Sequence, residues 1–455
     1  MLPIAASIRL LNKQRIQYNP GDCVALLCQN SDIDVEWLLA RIDPDPLPHV
    51  NSPFILECTT KRLASAWLPV GQPVTLRLLL THLFELNVPV TRRITQALAE
   101  CCHPSSEFAK RQATRLLQLS SREGTDLFER CIRQANVRLL DLLNSFPACR
   151  VTLARLFELL PRLRPRLYSL VGLDSDHDEN GEQILRLLFT RIDMSYADGC
   201  TPMGLRRYTH RTHGVCTGWL ERMWLKRVTF PPLMNLYLRQ NLTGFRAPDD
   251  ARRPVIMIAS GTGLAPFVGL LRRRRQLRQN SADPGNLWLI FGCRSPMTSF
   301  LMTAELNDFM AEGLLHRCCL CFSRYHVDVT QPQLPKSFPK HLRLGSCVHR
   351  STTARYVQHC IIPLQDDAVS ESVDTLTEDQ IELAEWIINR NAVIMVCGEA
   401  REMAPAVRSA WITLLTKYLS RYSTPSSASR TDFVSGDEYF KRMCEEKRYL
   451  EDIWT

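Results

Sequence analysis

The order of apolar and polar positions divides the chain into three styles of pattern. Around Tyr18-Asn19-Pro20-Gly21-Asp22 the residues from 8 to 27 alternate, which predicts two strands joined by a turn as an antiparallel hairpin. From residue 75 to about 160 the apolar positions recur three and four apart, over 91–102, 107–119, 125–146 and 152–160, and this predicts a compact helical block. Strand-like patterning returns at 166–171 and 183–192, followed by a loop rich in Gly, Arg and His that runs to Gly214. Beyond Pro254, short apolar runs at 255–259, 287–291, 318–322 and 392–397 are separated by helical stretches. That is the pattern of a parallel sheet in a doubly wound α/β domain. A polar break at 423–429 precedes a terminal helix, and no repeat of 20 to 50 residues is evident.

The expected organisation is therefore an antiparallel β layer in two parts, 1–70 and 161–248, interrupted by a helical insertion at 71–160 and followed by an α/β domain at 249–455. A length of 455 residues agrees with roughly three units. With 45% hydrophobic residues the chain is not disordered. Its net charge of +9 suits an anionic small ligand or an acidic protein partner and is too slight to indicate nucleic acid. The longest apolar runs fall far short of the roughly 18 residues of a spanning helix. Arg9, Lys13 and Arg15, with no acidic residue before Asp22, raise a transit peptide as an alternative, against which the turn at 18–22 reads as fold. Seventeen cysteines, an odd number without small-domain disulfide spacing, read as reduced thiols and a cytoplasmic location.

Candidate chemistry starts at Gly261-Thr262-Gly263-Leu264-Ala265-Pro266-Phe267, which follows an apolar strand and opens a helix. Glycines let backbone approach phosphates, and free amides at a helix start favour anions. Pro266 stands where the third glycine of the usual dinucleotide fingerprint would be, so that fingerprint is absent. Two further strands of the same sheet end in Gly292-Cys293-Arg294 and Ser323-Arg324, where ligands of such sheets bind. Arg324 offers a planar charged fork and Ser323 a hydroxyl, with Arg355 and Tyr356 next in sequence; this set favours the 2'-phosphate of NADP over the free hydroxyl of NAD. In the β layer, Arg166-Leu167-Tyr168-Ser169 combines a phosphate-binding cation with a ring that can lie on a heterocycle, and Gly214-Val215-Cys216-Thr217 can present amides and a hydroxyl to a pyrophosphate. Trp454 places an indole beside the chain terminus, as a partner contact or as a buried anchor.

Other features carry less. Arg272–Arg275 with Arg278 reads as a solvated basic face, or else as a surface that steers an acidic electron carrier. Cys318-Cys319-x-Cys321 and His210-x-x-His213 lack a second half at ligand spacing, so no metal is expected.

Arg-x-Tyr-Ser, Gly-Val-Cys-Thr, Gly-Thr-Gly-x-Ala-Pro-Phe, Phe-Gly-Cys-Arg, Ser-Arg, Tyr-Val-Gln, Cys-Gly and a terminal aromatic occur in the order seen in the ferredoxin-NADP reductase half of diflavin reductases, which the chain resembles over nearly its whole length. The stretches 139–149, 214–220 and 446–454 look most like the subfamily that serves methionine synthase. The resemblance implies an FAD-binding barrel, a helical connecting insertion and an NADP-binding domain. It implies flavin contacts from Arg166, Leu167, Tyr168 and Ser169, and pyrophosphate contacts from Gly214, Val215, Cys216 and Thr217, with Trp454 stacked on the isoalloxazine as a gate. NADPH would be held by Gly261, Thr262, Gly263, Arg294, Ser323, Arg324, Arg355, Tyr356, Val357 and Gln358. Ser169, Cys397 and Asp452 would surround the nicotinamide during hydride transfer.

Glu399 and Ala406 depart from the aspartates usual at those positions, and no flavodoxin-like FMN domain precedes the first strand. An FMN domain or protein is therefore expected as partner, either lost from a truncated product or supplied in trans, with methionine synthase as the final acceptor. The alternatives are a general diflavin-type reductase for another acceptor, such as an iron-sulfur assembly protein, and a non-catalytic interaction protein that keeps the fold.

Overall fold

The computed structural model describes residues 3–10, 14–42, 50–57, 67–103, 106–192, 214–226, 233–241, 244–279, 285–296, 298–325, 342–344, 346–347, 352–362, 376–422 and 435–454. The Gly/Arg/His loop before Gly214, with His210 and His213, and the polar break at 423–429 lie outside them, as does Lys13. Two compact units emerge: residues 25–166 with 191–236, and residues 2–24, 167–190 and 237–455.

The first unit is built on a helical core. Arg92–Glu100, Glu107–Ser120 and Leu153–Leu159 form where the periodicity predicts. Thr91, Ser106 and Thr152 each cap a helix start with a side-chain oxygen. The expected helix over 125–146 is two pieces. Thr125–Phe128 runs on into a wide turn over Glu129–Arg133, Asn136 adopts φ 51°, and a new helix spans Leu139–Ser145. The apolar period survives this break because Phe128, Ile132, Leu139, Leu142 and Leu143 enter one core. Helices at Asp32–Leu39 and Leu76–Leu78, the latter extended by a wide turn over Leu79–Leu83, add to the block.

In the second unit β1 (Pro3–Arg9) does not form a hairpin with β2 (Cys23–Leu26). It pairs antiparallel with β4 (Ile184–Thr190), from Pro3 opposite Thr190 to Arg9 opposite Ile184. Alternation specifies which face of a strand is buried, but it does not name the partner. The Pro-Gly-Asp segment does turn. Gly21 has φ 101° and an added Cβ would lie 2.4 Å from the Phe245 carbonyl, so only glycine fits. Asp22, 2% exposed, accepts the amides of Asn19 (2.9 Å) and Asn241 (2.8 Å) and fixes where β2 begins. The amide of Leu170, just beyond β3 (Arg166–Ser169), donates to the Asp22 carbonyl at 3.1 Å.

The α/β domain is a six-stranded parallel sheet. In chain order its strands are β5 (Val255–Ser260), β6 (Leu287–Cys293), β7 (Arg317–Phe322), β8 (Arg343–Leu344), β9 (Val393–Glu399) and β10 (Tyr449–Trp454); in space they run β8-β7-β6-β5-β9-β10. Burial on both faces explains the continuous apolar runs. Val255, Met257 and Ala259 enter one core while Ile256 and Ile258 enter the core on the opposite side. The terminal segment is thus a helix, Gly436–Glu445, followed by an edge strand that carries Trp454. Among the described residues no helix is long and apolar enough to cross a membrane.

Candidate functional site

The carboxyl ends of β9 and β10 lie side by side, with Cys397 opposite Asp452, Gly398 opposite Ile453 and Glu399 opposite Trp454. Cys397 is fully buried, and burial first, then Asp452 and Cys23, drive its thiol far above the usual range. Burial also raises the Asp452 carboxyl. Ser169, at the end of β3, has its hydroxyl 3.7 Å from the Cys23 thiol. Burial pushes Cys23 up to about 11; the hydrogen bond with Ser169 works against that shift and Asp452 adds to it. Ser169, Cys397 and Asp452, expected together from the motifs, therefore belong to one electrostatic neighbourhood that also contains Cys23. Nothing in the sequence marked Cys23, which reads there as an ordinary strand residue after a turn.

The glycine loop adjoins this neighbourhood. Gly261–Leu264 makes a tight 3-10 turn between β5 and the helix Ala265–Gln279. Its two glycines do different work. A Cβ on Gly263 would stand 2.2 Å from the Cys397 carbonyl, so the turn can press against β9 only without a side chain. Gly261 has φ 56° and open space where a Cβ would project. A glycine turn that opens a 15-residue helix, with no side chain at Gly261, is a backbone arrangement suited to an anion such as a dinucleotide pyrophosphate.

Along the sheet, the amides of Ser323 and Arg324 donate to the carbonyls of Cys293 and Arg294, both at 2.9 Å, which sets the two strand ends side by side. Arg355 Nε donates to the Ser323 carbonyl at 3.0 Å, and its guanidinium lies 5.5 Å from the centre of the exposed Tyr356 ring. Arg324 is exposed, and among the described residues its guanidinium has no protein partner. Ser323, Arg324, Arg355 and Tyr356 thus form one cationic, aromatic corner. Val357 is buried; its Cγ1 would be 2.9 Å from a Cβ on Gly292, so it seats the short helix Val357–Cys360, on which Gln358 is half-buried.

In the first unit, Arg166 donates to Glu85 Oε2 (2.6 Å) and to the Arg164 carbonyl. Gly214 leads into the helix Val215–Lys226, and Thr217 Oγ1 accepts the Ile192 amide at 3.4 Å. A Cβ on Gly214 would come 2.9 Å from that hydroxyl and 3.2 Å from Ile192 Cβ, so the close packing at the helix start requires glycine. Cys216 and Trp219 face inward at 4% exposure. In the second unit, Leu167 is exposed, and the half-buried Tyr168 ring meets Phe189 edge-on at 6.0 Å.

The departures at 399 and 406 are accommodated locally. The Glu399 carboxylate accepts amides from Glu402 (2.7 Å) and Met403 (3.1 Å), capping the helix Met403–Tyr422, and these backbone bonds lower its pKa. Ala406 is a half-buried residue of that helix. The basic run is mostly committed within its own unit. Arg272 makes a two-pronged contact with Glu305 at 2.6 and 2.9 Å, Arg274 is 1% exposed, Arg275 pairs with Glu312, and Arg278 donates to the Glu312 carbonyl. A freely solvated face does not describe it. Of the strand cysteines, Cys321 Sγ lies 3.2 Å from Cys360 Sγ.

An antiparallel β layer joined to a parallel-sheet domain with a glycine cradle defines a flavin- and nicotinamide-binding oxidoreductase fold. Known families agree: residues 9–187 match the FAD binding domain, and residues 257–323 match the oxidoreductase NAD-binding domain. The chain is 30% identical to methionine synthase reductase of Mus musculus over 98% of its length and 57% of that protein. It is 29% identical to the Homo sapiens protein of the same name, over 96% of this chain and 56% of that one. With NADPH–cytochrome P450 reductase of Bos taurus it shares 26% identity over 98% of this chain and 55% of the relative. The chain thus carries an FAD binding domain and an oxidoreductase NAD-binding domain, and over nearly its whole length it is similar to the corresponding part of these reductases. It spans little more than half the length of these curated relatives.

Proposed function

We propose that this chain binds FAD and NADPH, takes hydride from NADPH and passes the electrons to an FMN-containing carrier. The observation that carries the reading is the close approach of the glycine loop to Cys397, where a Cβ on Gly263 would lie 2.2 Å from the Cys397 carbonyl; a pyrophosphate held on that loop would lie beside the Cys397–Asp452–Ser169 neighbourhood. When bound, FAD supplies the two-electron acceptor that side chains lack.

The protein's own part is binding and orientation. Gly261, Thr262 and Gly263 would hold the NADPH pyrophosphate. Arg294, Ser323, Arg324, Arg355 and Tyr356 would hold its adenosine end with the 2'-phosphate, on a turn seated by Val357 and continued by Gln358. Arg166 and the first turn after Gly214 are assigned to flavin phosphates, and Leu167, Tyr168 and Trp454 to the flavin ring. Ser169 offers a hydroxyl to the reacting end, and Cys397 a neutral thiol of fixed position. Asp452 would bring a carboxyl, its pKa raised by burial, to the same end.

The similarity to methionine synthase reductases favours methionine synthase as the eventual acceptor. The similarity to cytochrome P450 reductases supports a second reading, a diflavin-type donor to another acceptor. The purified chain supplied with FAD should show a flavin spectrum, bleach with NADPH much faster than with NADH, and reduce ferricyanide. A chain that binds no FAD sinks the proposal. Reactivation of inactive cob(II)alamin methionine synthase, with an FMN protein added, separates the two acceptor readings.

A further inference from the structure

Cys23 has no task in the reading above, yet it occupies the middle of the neighbourhood. The buried Asp22 turn places it at the first position of β2, and its thiol lies 3.7 Å from the Ser169 hydroxyl, a contact across 146 positions of sequence. The charged groups that face it are Asp452 and Asp22, which disfavour a thiolate, and Arg239, which favours one. With burial dominant, Cys23 remains S–H at neutral pH. A serine hydroxyl has one proton and two acceptor sites. A thiol that donates to Ser169 Oγ occupies one acceptor site and leaves the serine proton free to point elsewhere.

We propose that Cys23 is a positioning residue for hydride transfer: its thiol holds the Ser169 hydroxyl in the rotamer that offers the serine proton to the reacting nicotinamide–flavin pair. This inference rests on the function proposed above. It involves no covalent step and no change of charge on Cys23. Cys397 shares the same surroundings, but it is fully buried and no hydrogen bond joins it to Ser169 among the described residues, whereas Cys23 is partly accessible.

The contact is testable without cofactor. In the flavin-free chain, alkylation of Cys23 by iodoacetamide at pH 9, followed by peptide mass spectrometry, should be slower in Ser169→Ala, which loses the bond that favours the thiolate. It should be faster in Asp452→Asn, which loses an opposing charge. Unchanged rates in both folded variants overturn the contact. In the FAD-loaded chain, Cys23→Ala should slow single-turnover hydride transfer about tenfold, less than the 10²–10³ lost with a direct donor, with flavin content and NADPH affinity retained. The deuterium isotope effect from labelled NADPH should rise, Cys23→Ser should restore most of the rate, and Cys23→Ala should add nothing in a Ser169→Ala background. A Cys23→Ala variant as fast as the parent, or losses that add in the double variant, overturn the role while leaving the proposed function intact. A parent chain that carries FAD but is not reduced by NADPH overturns both.

Discussion

At the scale of single residues, the two ends of the bound nucleotide make separable demands. Arg324 is exposed and, among the described residues, its guanidinium has no protein partner, which suits it to a phosphate. Hydrogen bonds to charged groups contribute about 1.5–3 kcal/mol. Replacing Arg324 by Ala should therefore raise KM for NADPH about tenfold or more and leave KM for NADH nearly unchanged in steady-state assays; equal losses would remove its assignment to the 2'-phosphate. Trp454 is 42% exposed on the last strand, in register with Glu399 and two residues beyond Asp452. If it gates the nicotinamide, deleting residues 454–455 should raise the NADH-dependent ferricyanide rate and narrow the preference for NADPH. An unchanged NADH rate would count against the gate.

At the scale of elements, the 3-10 turn of the glycine loop offers an internal control. An alanine at Gly263 would meet the Cys397 carbonyl at 2.2 Å, so Gly263→Ala should force the turn off β9 and lower stability by about 1–3 kcal/mol, seen as a fall in Tm. A Cβ on Gly261 would meet nothing within 4 Å among the described residues, and Gly261→Ala incurs the left-handed backbone strain of about 1–2 kcal/mol. Its methyl would project into the proposed cradle, so the expected signature is a large rise in the Kd for 2',5'-ADP-containing nucleotides with a modest change in Tm. The reverse pattern would place the pyrophosphate elsewhere. The motif itself was legible, because a buried strand, a glycine pair and a helix start are contiguous in sequence. The division of labour between the glycines was not, since the clash partner of Gly263 is 134 positions away. The same holds for the arginine run: its charges are visible along the chain, but Glu305 and Glu312 are brought to it by folding.

For the molecule as a whole, the proposed function turns on electron number. NADPH releases two electrons as hydride, while a cobalamin or haem acceptor takes one at a time. The matched domains account for FAD and the nicotinamide nucleotide. With FAD supplied, the chain should reduce ferricyanide directly but transfer electrons to cytochrome c slowly, and adding a flavodoxin-type FMN protein should accelerate that transfer severalfold. A rate to cytochrome c that is high without the added carrier would contradict the relay.

The sequence by itself determined the elements whose signals are local. The parallel strands appear as unbroken apolar runs because both faces are buried, three helices of the insertion announce themselves by period and cap, and the glycine loop is a contiguous motif. The tertiary structure alone decided what depends on partners distant in the chain. It paired β1 with β4 instead of β2, broke the helix expected over 125–146, and set the Cys23 thiol against Ser169. Periodicity fixes which face of an element is buried, whereas register, pairing and side-chain contact are chosen by the packing of the whole chain.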